Sequence, residues 1–357
     1  MVHYIRFLRT PQVEAGKKTV DVSAVVAVTT DLGDAFYAVN VDLVAEAVEA
    51  TRPHVVFHSQ TFPWQATSRA LKFSLNCPGK YVSRSVRLHV TTKDTIASSA
   101  RREVPQILDV WSIAFPLSDK QRTDPIVERQ VLLPNNSPVC ISEETGDSIA
   151  RHIWDAGLGF LIYFAKALSA SPTEGVSRCA ALWKSSKVRR LRVLELGTGC
   201  GIVGIAFAQL VKCDILLTDL EDAQEILASN VRYASPVAGS MIQTGILDWA
   251  TGLDDSSNAN FDLILVSDCI YNPESSIHLV ETLRQLAFRT PKLLILVGFK
   301  RRHEADTVFF ERMQQANFDT VERINIPLPY TTTDQDTDPP MIEFYTYEHR
   351  SAAKEPK

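Results

Sequence analysis

Positive charge is scarce in this sequence relative to what bulk binding of nucleic acid requires. The 357 residues include 37 lysines and arginines against 42 aspartates and glutamates, a formal net charge of −5 at pH 7. Proteins that coat nucleic acid carry a strong basic excess, so this class is excluded and nucleic acid is not the expected partner. With 45% hydrophobic residues, disorder of the whole chain is excluded as well, and the length indicates about two domains.

Paired cysteines and long apolar runs are also lacking. None of the six cysteines stands in a Cys-x-x-Cys pair, which argues against a zinc ribbon and a dense disulfide framework, and no other metal-ligand spacing stands out. No run of about 18 apolar residues is present, and the N-terminal residues lack the apolar region of a signal peptide. We therefore expect a soluble monomer without a metal or a membrane partner, in the cytoplasm, with the nucleus as a second candidate location.

The residue pattern changes character near position 140. Before it, short β-rich stretches such as 20–29 and 85–92 alternate with prolines, and the Ala- and Glu-rich segment 41–50 reads as a helix. After it, apolar strand patterns alternate with helical patterns, which is typical of a parallel α/β sheet. We therefore predict a β-rich domain of unknown role at 1–140 and an α/β domain at 141–357.

The α/β domain is predicted to close with two strands that have no helix between them. Such a pair forms a hairpin, so one of its strands runs antiparallel to the rest of the sheet. The predicted strands are 191–196, 214–220, 240–247, 261–267, 293–299, 320–326 and 341–348, and the predicted helices are 205–211, 223–234, 275–287 and 304–316.

The most informative segment is a glycine-rich turn that follows the strand 191–196. It reads Gly197-Thr198-Gly199-Cys-Gly201-Ile-Val-Gly204, and its glycines let a ligand approach the backbone where a helix begins. The segment satisfies G-x-G-x-x-G, and Asp219 at the end of the next strand is where a dinucleotide enzyme binds a ribose hydroxyl. Taken alone, the turn would permit NAD.

Glu195, two residues before the turn, favours a different ligand. Its carboxylate would repel a pyrophosphate but would suit a ligand that carries an amino group and a sulfonium, which is S-adenosylmethionine. Asp219 would then hold the ribose, Asp248 would accept from the adenine amine, and Trp249 would offer a flat apolar face. Thr198 and Leu220 complete this predicted cofactor side. Trp249 as an ordinary core aromatic remains an alternative, and Asn230 is expected to face solvent or cap a helix.

At this point the sequence resembles the seven-strand lysine methyltransferases of the methyltransferase-like type, including fungal members. The likeness covers residues 141–350 and depends on His-Ile-Trp-Asp-Ala-Gly at 152–157, the turn at 195–201, Leu-Asp-Trp at 247–249 and Ser-Asp-Cys-Ile-Tyr at 267–271. The turn is shared by many methyltransferases, whereas the combination of the first and last motifs is more specific. Residues 1–140 lie outside the likeness.

The resemblance implies a Rossmann-like, seven-stranded, mostly parallel sheet with helices on both faces. It also implies that Trp154 packs beside the methionine end of S-adenosylmethionine and that Ser267 lies against the adenosine. Asp268 and Tyr271 are implied to border the channel of the methyl acceptor as catalytic residues. The alternative is that Asp268 caps the following loop and that Tyr271 fills core space. The expected activity is methylation of a lysine side chain of a non-histone protein.

Two other functional classes stay open. Methyltransferases that act on bases commonly carry an Asn-Pro-Pro-Tyr motif after the fourth strand, and this chain has only Asn272-Pro273 there. A base or small-molecule methyltransferase is therefore the second hypothesis, and a non-catalytic adaptor with this fold is the third. The basic clusters 184–192 and 300–303 are interpreted as solvated loop charge, with recruitment of an acidic protein or RNA as the alternative.

Overall fold

The computed structural model describes residues 1–16, 18–118, 122–145, 149–169, 171–252, 260–290, 292–303, 306–330 and 340–350. They form two compact units. The first comprises the described parts of Met1–Leu132, Cys140–His152 and Leu328–Pro339, and the second those of Leu133–Val139, Ile153–Pro327 and Pro340–Lys357. The sequence prediction used one division at residue 140, whereas the ranges of these units interleave. None of the helices that the structure describes is long and apolar enough to cross a bilayer.

The first unit is built almost entirely from strands. One of its sheets has the order β5-β2-β1-β7 and the other the order β11-β10-β8-β6-β3-β4, with β9 paired to β6. The elements are β1 (His3–Ala15), β2 (Thr19–Thr29), β3 (Val41–Glu49), β4 (Arg52–Trp64), β5 (Leu71–Pro78), β6 (Ser85–Thr92), α1 (Lys93–Arg101), β7 (Ile107–Leu108), β8 (Val110–Ser112), β9 (Phe115–Pro116), β10 (Ile126–Leu132) and β11 (Pro138–Glu144).

The predicted helix at 41–50 is wrong, because this segment forms strand β3 between β4 and β6. Its alanines and glutamates favour a helix by propensity. The burial pattern has a period of two instead: Leu43, Ala45 and Ala47 are buried, while Asp42 is exposed and Glu46 is only half-buried. Packing of the alternating apolar face against the core of the first unit therefore outweighs local propensity.

The second unit is an α/β structure, as predicted. Its sheet has the order β14-β13-β12-β15-β16-β18-β17; neighbours from β14 to β16 are parallel, and β18 runs antiparallel to both β16 and β17. The elements are α2 (Asp155–Leu168), α3 (Ser177–Ser185), β12 (Leu191–Leu196), α4 (Ile202–Leu210), β13 (Cys213–Asp219), α5 (Gln224–Tyr233), β14 (Met241–Ile246), β15 (Leu263–Ser267), α6 (Pro273–Arg289), β16 (Leu294–Lys300), α7 (Thr307–Gln315), β17 (Phe318–Pro327) and β18 (Met341–His349).

The strand order reverses between β12 and β15. From β12 the chain proceeds outward through β13 to β14, and it then returns to the other side of β12 with β15 and β16. In open parallel sheets such a reversal leaves a crevice outside the carboxyl ends of the two central strands, and ligands bind there. The glycine turn follows β12 and Asp268 follows β15, so the fold brings both predicted motifs to this crevice.

Candidate active site

The turn after β12 depends on glycine at several positions. Gly197, Gly199 and Gly201 have φ angles of +66°, +56° and +90°, a region that side chains with a Cβ rarely adopt. A Cβ on Gly197 would also lie 2.5 Å from Sγ of Cys269 and 3.2 Å from Cζ2 of Trp249. Backbone conformation and close packing therefore both require glycine at position 197.

Asp219 holds this turn against strand β13. Its Oδ2 accepts a hydrogen bond from the Gly199 amide at 2.7 Å, and its Oδ1 accepts from the Leu220 amide at 2.8 Å. Burial raises the pKa of Asp219, while the two amides oppose that effect. Since a carboxylate has about four acceptor positions, Asp219 keeps acceptor capacity for the ribose hydroxyls that the sequence assigns to it.

Glu195 lies beneath the turn with no solvent exposure. Within the described part of the chain, neither of its carboxylate oxygens makes a hydrogen bond of ordinary geometry, although the Thr198 side chain and the Gly204 amide lie nearby, and Oε2 occupies the space that a Cβ on Gly204 would need. Burial raises the pKa of Glu195 to about 8, against the smaller opposing effects of the Thr198 side chain and the Gly204 amide. A cationic ligand group nearby would stabilise the ionised carboxylate and an anionic one would destabilise it, so this buried carboxylate fits a sulfonium better than a pyrophosphate.

The predicted adenine side lies at the ends of β13 and β14. Leu220 is 53% exposed, Asp248 is half-buried, and Asp248 Oδ1 accepts a hydrogen bond from the Ala250 amide at 2.9 Å. Trp249 packs partly against the apolar core, and its ring also faces Gly197. The core interpretation of Trp249 and the ligand interpretation are therefore compatible.

The expectation that Asn230 faces solvent or caps a helix is wrong. Asn230 is 1% exposed on α5, and its Nδ2 donates a hydrogen bond to the carbonyl oxygen of Cys200 at 2.8 Å. A buried side-chain amide thus holds a carbonyl of the glycine turn. No local sequence signal indicates this contact, because it joins positions 30 residues apart.

On the acceptor side, Asp268 adopts a φ of +57° directly after β15. Its Oδ1 and Oδ2 accept from Nη1 and Nη2 of Arg302 at 2.7 and 2.8 Å, and Oδ1 also accepts from the Lys300 amide at 3.2 Å. These bonds reach the end of the neighbouring strand β16 rather than the loop that follows Asp268. The interpretation of Asp268 as a loop cap therefore has no support in its contacts.

The prediction that the basic cluster 300–303 is solvated loop charge is wrong for Lys300 and Arg302, whereas Arg301 and His303 are exposed in the loop after β16. Lys300 is the last residue of β16 and is 9% exposed; its Nζ lies 2.8 Å from Oδ2 of the fully buried Asp155. Arg302 pairs with Asp268 and lies over the ring of Trp154, 5.5 Å from its centroid. Sequence reasoning missed these partners, although basic residues at the end of one strand beside an acidic residue at the end of its neighbour are a usable signal.

Tyr271 and Cys269 complete the predicted acceptor side. Tyr271 is 58% exposed, so it does not fill the core. The part of its side chain that is buried, together with the neighbouring Cys269, raises the pKa of the phenol, which therefore stays protonated. The Cys269 thiol is buried and donates to the carbonyls of Ser267 and Leu196, at 3.2 and 3.4 Å. Cys269 thus links the end of β15 to the end of β12, and places Asp268 and Tyr271 beside the glycine turn.

Comparison with known proteins agrees with this geometry. The sequence profile of the lysine methyltransferase family matches residues 134–316, which is more than half of the chain. Mouse protein N-lysine methyltransferase METTL21A is 32% identical to this chain over 168 residues, which cover 47% of this chain and 68% of that protein. The chain therefore belongs to the lysine methyltransferase family. It is an S-adenosylmethionine-dependent methyltransferase.

Two further relatives cover more of the chain. A UPF0665 family protein of Schizosaccharomyces pombe is 28% identical over 318 residues, which cover 87% of this chain and 92% of that protein. Mouse EEF1A lysine methyltransferase 3 is 27% identical over 242 residues, 67% of this chain and 90% of that protein. The fission yeast match is too long to be contained in residues 134–357, so it extends into the N-terminal β-rich region.

Proposed function

We propose that this chain methylates a lysine side chain of a non-histone protein. The observation that carries the proposal is the placement of Asp268 and the exposed Tyr271 next to the glycine turn, through the hydrogen bonds of Cys269. Relatives whose names specify protein lysines as their targets, METTL21A and EEF1A lysine methyltransferase 3, support a protein acceptor.

The residues have separate roles in this reaction. S-adenosylmethionine supplies the methyl group: the N–C bond forms as the S–C bond breaks. A lysine ammonium, whose pKa in water is about 10.4, must first lose one proton. Asp268 orients the amine, and Tyr271 forms a wall of the channel and hydrogen-bonds to the amine. Such alignment can lower the barrier by several kcal/mol.

We propose that the cofactor is held in the crevice of a Rossmann-type seven-stranded sheet. Support comes from the strand order, the fully buried carboxylate of Glu195, and the acceptor capacity that Asp219 keeps beside its two amide hydrogen bonds. The full set of proposed contacts is Trp154, Glu195, Gly197, Thr198, Gly199, Gly201, Asp219, Leu220, Asp248, Trp249 and Ser267.

We further propose that the protein acts as a monomer in the cytoplasm, with the nucleus as a second location, and without a nucleic-acid partner. The six unpaired cysteines support a reducing compartment, and the net charge of −5 supports a protein acceptor over nucleic acid. Light scattering of the purified protein and imaging of a tagged chain test these statements. A stable dimer or a secreted chain would contradict them.

Labelling with radioactive S-adenosylmethionine in cell extract, with and without nuclease, tests the acceptor class. We expect a discrete labelled protein band that survives nuclease and whose label is recovered as methyl-lysine after hydrolysis. Label removed by nuclease would favour the base methyltransferase, and label only in small molecules would favour a small-molecule methyltransferase. The absence of any label would favour the non-catalytic adaptor. The Gly197→Arg variant serves as the blank for all these measurements.

A further inference from the structure

The orientation of the Asp268 carboxylate is set by a residue 34 positions away. Arg302 donates to both oxygens in a bidentate pair with N–O distances of 2.7 and 2.8 Å. Apart from the Lys300 amide on Oδ1, at 3.2 Å, these are the contacts that fix the carboxylate in the described structure. The side chains of Asp268 and Arg302 are 8% and 20% exposed, so the pair is largely shielded from water, and a charge-assisted bidentate geometry is strong and directional there.

Arg302 is itself held from several directions. Its guanidinium carbon lies 5.5 Å from the centroid of the Trp154 ring, within the range of a cation–π contact. Its backbone amide donates to Oδ2 of Asp306 at 3.0 Å, and the His303 amide donates to the same oxygen at 3.1 Å. The loop that carries Arg302 is therefore tied to the beginning of α7.

A second ion pair fixes the surroundings of the first. Lys300, two residues before Arg302, pairs with the fully buried Asp155 at 2.8 Å. Asp155 is the first residue of α2 and directly follows Trp154, so this pair connects the end of β16 to the ring on which Arg302 lies. The two pairs together define a rigid support on the side of Asp268 that faces away from β12.

We propose that Arg302 is a positioning residue of the methyl transfer. Arg302 holds the Asp268 carboxylate so that the second lone pair of Oδ2, the one not used by Arg302, faces the incoming amine. The proposal deepens the proposed function and rests on it. Asp268 orients the amine, and one proton leaves the ammonium for water before the N–C bond forms and the S–C bond breaks.

The geometry predicts a specific ranking of substitutions at position 302. A lysine keeps the positive charge but can approach only one oxygen as a point charge, and it cannot stack on Trp154 as a planar group. A glutamine loses the charge and the bidentate pair. We therefore expect the rate of transfer to fall about 10- to 100-fold in Arg302→Gln and to recover partly in Arg302→Lys, since a charge-assisted bidentate pair is about twice as strong as a neutral hydrogen bond.

The test measures the initial rate of labelling of the nuclease-resistant protein band, at saturating radioactive S-adenosylmethionine, with the full chain and its variants. Calorimetry with S-adenosylmethionine alone is expected to give affinities within about threefold of the unmodified protein for each variant at position 302. The matched control is Arg301→Gln, which removes the neighbouring arginine and its pair with Glu343 at 2.7 Å. Its labelling rate should stay near that of the unmodified chain.

A double variant separates positioning from a general effect on the structure. If Arg302 acts through Asp268, adding Arg302→Gln to Asp268→Asn should not lower the residual labelling rate further, whereas independent losses would multiply. The proposal is overturned by an unchanged rate in Arg302→Gln, by loss of cofactor binding in that variant, or by a further loss in the double variant. Absence of label with the unmodified chain would instead overturn the proposed function, so the two failures are distinguishable.

Discussion

The two sides of the crevice are built by different means. On the cofactor side, the turn 197–201 is held by glycine conformations and backbone amides, with Asp219 as the main charged contact. On the proposed acceptor side, Asp268 is held by an ion pair with Arg302, and behind it Lys300 pairs with Asp155 at the start of α2; both pairs join residues far apart in sequence. The first side is defined by shape and is sensitive to added volume, whereas the second is defined by charge and is sensitive to the loss of a partner.

The strongest test of the cofactor side is Gly197→Arg. A side chain at this position would adopt an unfavourable φ of +66° and collide with Cys269 and Trp249. We expect calorimetry to show at least roughly a 100-fold loss of affinity for S-adenosylmethionine, because the clash lies in the ligand crevice. Gly33→Arg is the matched control, since Gly33 also has a positive φ but open space around its Cβ position. Methylation that persists in Gly197→Arg would refute the assignment of the turn.

Asp268→Asn tests the acceptor side with little change in shape. Asparagine tolerates the positive φ of position 268 but loses the charge that pairs with Arg302 and that we propose orients the amine. We expect the labelling rate to fall roughly 100-fold, within the range of groups that act directly on the reacting atoms, with nearly unchanged affinity for S-adenosylmethionine. Loss of cofactor binding in calorimetry would move Asp268 to the cofactor side, and the distinction between the two sides would fail.

The buried pair behind Asp268 predicts an effect on stability. Lys300→Met would remove the ammonium that lies 2.8 Å from the fully buried Asp155 carboxylate, and breaking a buried pair in this way costs about 3–5 kcal/mol. Arg190→Gln is the control, because its pair with Asp214 is exposed, with the Arg190 side chain 50% accessible, and such pairs contribute about 0–1 kcal/mol. Equal midpoints of urea unfolding for the two variants would show that Asp155 is not stabilised by Lys300.

The smallest effect, for a change of one pH unit, is expected in the dependence of stability on pH. The pKa of Glu195 is raised to about 8 in the folded chain from an ordinary value of 4.5, so between these values the folded carboxyl keeps a proton that the unfolded one releases. The Glu195 carboxyl therefore contributes fully to the free energy of unfolding below pH 4.5, and this contribution is lost as the pH rises to about 8. The total loss is at most roughly 5 kcal/mol. Chemical unfolding of Glu195→Gln should lack this slope, and the exposed-helix variant Glu281→Gln should retain it. An identical slope in Glu195→Gln would be inconsistent with a buried protonated carboxyl.

The local geometry of the glycine turn is more predictable from the sequence than the contacts of Asp268, for a physical reason. Glycines, a preceding carboxylate and an acid at the end of the next strand are local signals, and the structure places Glu195, Gly197 and Asp219 around one turn. The pairs of Asp268 with Arg302 and of Asp155 with Lys300 depend on which strands are neighbours. A basic run of four residues contains no information about its partners until the sheet order is known.

The N-terminal unit shows a second limit of sequence reasoning. Segment 41–50 contains residues that favour a helix, but its alternate apolar positions are buried in a sheet. Propensity describes the isolated segment, whereas the sheet partners β4 and β6 decide its structure. The central strands β12, β15 and β16 of the second unit were predictable because they are mostly apolar on both faces, as parallel strands covered by helices must be.

The thiol of Cys269 provides a built-in reporter of local opening. It is 7% exposed, burial and neighbouring acidic groups raise its pKa, and it donates to carbonyls at the ends of two adjacent strands. An alkylating reagent reacts with it when local opening at the carboxyl ends of β12 and β15 exposes the thiol, since the reactive form is an accessible thiolate. The rate of alkylation of Cys269 therefore measures how often the crevice opens, and a bound molecule that bridges the two strands would lower this rate.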